Sequence, residues 1–171
     1  MSAVHPPKLH QRNKSTIKSG DIFRGITVVA LPVRAGEDGG VSIAPNNGLD
    51  QSLSHQLRIS LPDLLARAPQ LSGKAGEIFD FPLEETKLDQ TKKVKRIIFV
   101  GIGSGSISDM RKAGAAIGRR VKGSDASLLS GCAPTRETVL AHVVSLALSL
   151  YSWNLYSKKA QSLPEIHVWG N

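Results

Sequence analysis

"KRIIFVGIGSGSISDMRKAG", residues 95–114, runs from two basic residues through an apolar stretch and a glycine-rich turn into the start of a helix. Residues 94–100, "VKRIIFV", are rich in β-branched and aromatic side chains and predict a strand. Gly101, Gly103 and Gly105 follow at alternate positions. Ser106 or Ser108 then offers a cap for a helix in which Met110, Ala113, Ile117 and Val121 share one face. Arg111, Lys112, Arg119 and Lys122 lie together away from that face, and Gly123 predicts the stop.

A strand, glycine turn and helix in this order has two readings. A dinucleotide fingerprint needs a third glycine where Ser106 stands, and an acidic ribose partner about 20 residues on. Arg119, Arg120 and Lys122 occupy that neighbourhood instead, and no Gly-Lys-Ser/Thr follows to make a P-loop. The favoured reading is that the glycines allow a tight turn with close packing. The alternative is an anion or nucleotide site at the exposed helix N-terminus.

Working outward, residues 25–36, "GITVVALPVRAG", form a nearly continuous apolar run, the pattern of a strand covered on both faces. "GEDGG" closes it as a loop. Residues 60–69, "SLPDLLARAP", predict a short helix capped by Ser60 and stopped at Pro69. Residues 73–83 and 126–130 read as short strands. A longer helix starts near Thr135 and runs to about Tyr156, with apolar residues over most of its circumference, so it is expected to be shielded on more than one side. Lys158 and Lys159 suit its negative end. Residues 165–170 begin one more strand. Strands alternating with helices define an α/β layered domain, and 171 residues suit one core.

Composition narrows the class. Hydrophobic residues are 40% and charged residues 21%, as in globular chains. Cys132 is the single cysteine, so no internal disulfide forms and a reducing cytoplasm is the natural compartment. No apolar signal opens the chain; residues 1–19 read as a flexible basic tail and residues 20–171 as the domain. Residues 139–156 are apolar but interrupted by His142, Ser145, Ser149, Ser152 and Asn154, which excludes a membrane span of about 20 residues. The net charge of +8 is concentrated: residues 91–123 carry nine basic residues and one acidic one. A phosphate-bearing partner fits such a stretch, and Lys92, Lys93, Lys95 and Arg96 belong to it. Nucleic acid is not favoured, because no aromatic residue interleaves the basic helix to stack on bases.

The chemistry-bearing residues are sparse. His5, His10, His55, His142 and His167 are scattered and form neither HxH nor HExxH, so no metal site is assigned to them. His142 reads as a core histidine, Cys132 as a packed small hydrophobe, and Glu84 and Glu85 as a solvated connection. No catalytic, cofactor-binding or metal-ligating residue is assigned.

Four pieces together carry a resemblance: "GKAGEIFDFP" (73–82), "VKRIIFVGIGS" (94–104), "DMRKAGAAIGRRV" (109–121) and "LSLYSWNLYSKK" (148–159). In order and spacing this series resembles the N-terminal domain of the leucyl aminopeptidase (cytosol aminopeptidase) family. The resemblance implies a macro-domain-like three-layer α/β/α sandwich with a mixed sheet. It also implies a separate, larger C-terminal domain that holds two divalent metal ions, manganese or zinc, and removes N-terminal residues from peptides. Cytoplasmic homo-hexamers are expected on the same grounds. The family's metal signature, Asn-Thr-Asp-Ala-Glu-Gly-Arg, and its catalytic lysine have no counterpart in these residues, so the expected role is non-catalytic, in subunit assembly and active-site access. "HVWGN" would then stand where the catalytic domain begins. The alternative role is a phosphate-recognising module for a nucleotide, ADP-ribose or nucleic acid, and macro-like folds bind ADP-ribose in loops such as residues 101–105.

Overall fold

The computed structural model describes residues 6–13, 15, 17, 21–37, 39–83, 94–132, 135–151 and 163–170. In chain order the elements are β1 (Leu9–Arg12), β2 (Val28–Ala35), β3 (Val41–Ile43), α1 (Leu49–Leu57), α2 (Leu61–Leu65), β4 (Ile78–Pro82), β5 (Arg96–Gly101), α3 (Ile107–Val121), β6 (Ser127–Ser130), α4 (Arg136–Leu150) and β7 (Glu165–Trp169). The sheet runs β1-β7-β6-β2-β5-β4, with β3 paired to the outer part of β2. Strands β1, β7, β6, β2 and β5 are parallel, while β4 and β3 are antiparallel to their neighbours. The expected mixed α/β sheet is therefore present.

Side-chain alternation along β2 divides the core in two. Val29, Leu31 and Val33 face α1 and α2, together with Ile97, Phe99, Leu129 and Trp169. Val28 and Ala30 face α3 and α4, with Ile98, Val100, Leu128 and Ile166. Helices cover both faces, which makes three layers. Pro32 is tolerated in a central strand because of where β6 ends. Ala30 O accepts from Gly131 N on the β6 flank, the β6 pairing stops there, and Pro32 O takes Ala44 N instead.

Caps account for the helix starts. Ser60 accepts from Asp63 N, Ser106 from Asp109 N, and Thr135 forms a reciprocal box with Thr138. The two long helices then approach backbone to backbone. A Cβ on Gly114 would overlap the His142 carbonyl, and one on Gly118 would overlap Leu146 O and the Ser149 hydroxyl. Asp80 ties the outer strand down by accepting from Arg96 and, at 2.6 Å, from Arg120 Nε. Burial works to raise the pKa of Asp80, but the two guanidiniums overcome it and hold the carboxyl below its ordinary value.

Two expectations need correction. Leu9–Arg12, inside the stretch expected to be a tail, form an edge strand, invisible to periodicity because "LHQR" has a single apolar residue. Helix α4 ends at Leu150, with Tyr151 already extended, and not near Tyr156; Lys158 and Lys159 lie outside the described residues, as do Glu84, Glu85, Lys92 and Lys93. Helix α4 is shielded by α3 and by the sheet, while Leu140, Val144 and Leu148, spaced by four, are 67%, 46% and 66% exposed. Among the described residues no helix is long and apolar enough to cross a membrane.

Candidate functional site

Loops at the carboxyl ends of parallel strands are where α/β sheets bind ligands, and residues 101–106 lie at that end of β5. Phosphate cradles work through unspent backbone N–H groups. Four donors of the glycine turn are spent within the chain: Gly101 N donates to Glu77 O (2.8 Å), Ile102 N to Val33 O (2.9 Å), Gly103 N to Gly73 O (2.9 Å) and Gly105 N to Ile102 O (2.9 Å). Ser104 N donates to Asp109 Oδ2 at 3.0 Å, and the Ser104 hydroxyl donates to the same oxygen at 2.7 Å. The chain's own carboxylate fills the place an anion would take. The Ser104 hydroxyl chiefly, with Lys112 nearby, holds the Asp109 carboxyl below its ordinary pKa.

The glycines have steric reasons. A Cβ on Gly101 would collide with Lys74 O, because the loop of residues 72–77 lies directly across the turn. Gly103 has φ +55° and would press a Cβ against the Asp109 carboxylate. The tight-turn reading accounts for each observation. We expect Asp109→Ala to cost about 1 kcal/mol through loss of the exposed Ser104 hydrogen bonds, whose donors then turn to water, seen as a melting temperature lower by about 2–4 °C, with added phosphate stabilising the wild-type chain not at all.

The nucleophile and base candidates are buried. Cys132 is fully enclosed, and burial pushes its thiol up to about 12, so it stays protonated at neutral pH. His142 Nε2 lies 2.9 Å from the Ser130 hydroxyl and Nδ1 lies 3.3 Å from Met110 O. Both Ser130 and His142 are 0% exposed, so this pair bridges β6, α3 and α4 without access for a substrate. Burial lowers the His142 pKa to about 4. A cavity of about 710 Å³ opens between β3, α1 and α2, lined by Val41, Ile43, Leu61, Leu65 and Leu71 with Asp50 at its margin.

The sequence reading leaves the histidines scattered, but the sheet brings two together. His10 on β1 stands opposite His167 on β7, their rings stacked at 4.7 Å. Glu165, two residues before His167 and so on the same face, lies 3.6 Å from His10 Nε2 and 3.8 Å from His167 Nε2. The only linear signal is the Glu-x-His spacing on β7; the cross-strand partner depends on a strand the sequence pattern hides.

The mixed sheet with helices on both faces defines a three-layer domain of the α/β/α kind. The family model for the cytosol aminopeptidase family, N-terminal domain, matches residues 41–160, and the chain belongs to that family as its N-terminal domain. Among solved structures the chain is similar to a tomato leucine aminopeptidase mutant (TM-score 0.63, 17% identity, 100% of this chain and 34% of that one). It is also similar to the bottromycin maturation enzyme BotP (TM-score 0.51, 21% identity, 84% of this chain and 27% of that one). A part of a structure of three main domains of nonstructural protein 3 from a coronavirus is similar in fold as well (TM-score 0.54, 11% identity, 97% of this chain and 34% of that one). The chain thus spans about a third or less of these proteins. No curated protein sequence matches it.

Proposed function

We propose that this chain is the non-catalytic N-terminal domain of a metal-dependent leucyl aminopeptidase, a cytoplasmic enzyme that removes N-terminal residues from peptides. In this reading the two divalent ions, manganese or zinc, and the peptide sit in a separate catalytic domain. The domain described here supplies subunit contacts, in a hexamer, and shapes access to the active site. The observation that carries the proposal is the family match over residues 41–160. The exposed stripe of Leu140, Val144 and Leu148 supports the assembly role, since three large apolar side chains in line along one helix favour burial against another surface.

The chain alone, assayed on leucine anilide with manganese or zinc, should show no chelator-sensitive turnover; turnover that chelator abolishes would place chemistry within these residues. In sedimentation velocity, Leu140→Glu with Leu148→Glu should reduce self-association of any preparation that contains the chain. An unchanged distribution would remove the stripe from assembly.

A further inference from the structure

The β1–β7 edge carries a donor set that the scaffold role does not use. One ligand atom each from His10, Glu165 and His167 all fall within 4.8 Å of one another. Metal bonds of about 2.1 Å to these donor types set neighbouring tetrahedral ligands about 3.4 Å apart. His10 Nε2 lies 3.6 Å from Glu165 Oε1 and His167 Nε2 lies 3.8 Å from Glu165 Oε2, and with all three ligand atoms within 4.8 Å of one another the set closes onto an ion by side-chain movements of about 1 Å or less. The backbone fixes the arrangement: parallel register places His10 beside His167, and strand alternation puts Glu165 on their face. His167 is buried while the His10 and Glu165 side chains are 46% and 43% exposed, leaving one side of the cluster open to water.

We propose that His10, Glu165 and His167 form a binding site for a borderline divalent transition ion of the zinc class, which fastens β1 to β7. Two imidazoles and one carboxylate select such an ion over magnesium or calcium, which require oxygen ligands.

Arg12 supplies a built-in competitor. Its Nε donates to His167 Nδ1 at 3.1 Å, so the neutral ring carries its proton on Nε2, the nitrogen that faces Glu165. Metallation releases that proton, or moves it to Nδ1 and displaces the Arg12 contact. A ligating histidine ordinarily donates its second nitrogen to an acceptor, and a guanidinium cannot accept. Arg12 stays anchored meanwhile, because Nη1 donates to Ile22 O at 2.7 Å and Nη2 to Arg24 O at 3.0 Å. Lys8, 3.9 Å from Glu165 Oε1, also competes for the carboxylate. The ion is therefore held reversibly.

Titration of the 171-residue chain with zinc chloride by calorimetry, beside magnesium and calcium chlorides, tests this. Expected is one saturable zinc site, a melting temperature raised by about 5 °C at saturation, and no response to the other two ions. His10→Ala, at a half-exposed position that leaves the fold intact, should weaken binding at least tenfold, and Glu165→Gln should do about the same. Arg12→Met should bind zinc more tightly than wild type; unchanged affinity there overturns the competitor role. No zinc binding at millimolar concentration, or wild-type affinity in both His10→Ala and Glu165→Gln, overturns the site.

Discussion

Gly114→Ala is expected to lower the melting temperature by about 6–10 °C, and Gly118→Ala by a similar amount. On an exposed helix face the same change stabilises by about 1 kcal/mol, because alanine loses less backbone entropy than glycine. In α3 the sign reverses. The added methyl on Gly114 meets the His142 backbone carbonyl, and that on Gly118 meets Leu146 O and Ser149. A carbonyl of a packed helix has no rotamer with which to yield, so α3 and α4 must separate. Overpacking of this kind costs about 1–3 kcal/mol, and each kcal/mol moves a domain of this size by about 2–4 °C. Paired thermal melts, with exposed Ser108→Ala in the same helix as the reference, distinguish the outcomes: a destabilisation no larger than the reference would refute backbone-to-backbone contact at the two glycines.

The second large effect is on acidification. His142 is neutral in the fold, with its pKa lowered from 6.5 to about 4 by burial. Its folded value lies below its unfolded value, so unfolding takes up a proton between these limits. Its contribution is fully present above about pH 6.5, declines as pH falls toward 4, and is flat below. A separation of that size corresponds to about 3 kcal/mol of stability lost across the window. Urea melts from pH 7.5 to 4 should show that slope. In His142→Gln, which keeps an amide near Ser130 and Met110 O, the slope over this window should become shallower although the starting stability is lower, the remainder coming from His167, whose pKa burial also lowers to about 4. An equally steep variant would assign the acid sensitivity elsewhere.

How much was legible in the sequence differs by element, for physical reasons. Strand β5 and helix α3 carry local codes that agree with their surroundings: an apolar run for a strand covered on both faces, a serine cap, and Met110, Ala113, Ile117 and Val121 on one face. Helix α1 lacked such a code at its start, since Gly48 in the left-handed region provides no side-chain cap, and only Leu49, Leu53 and Leu57 mark its buried side. Strand β3 has three residues and exists through its pairing with β2. The glycine turn showed in sequence that it departed from nucleotide motifs, but not why. The reason lies in contacts from residues far along the chain, Gly73 and Glu77 among them, that take up its N–H groups. His10 and His167 are 157 positions apart, so nothing short of the β1–β7 register could have joined them.

That register has a bearing on how the polypeptide tolerates shortening. The outermost strand is supplied by the first dozen residues, so trimming an apparently dispensable leader would strip it away. Behind it, β7 would present a bare row of amides and carbonyls flanking Trp169, the kind of edge on which molecules stack into insoluble aggregates.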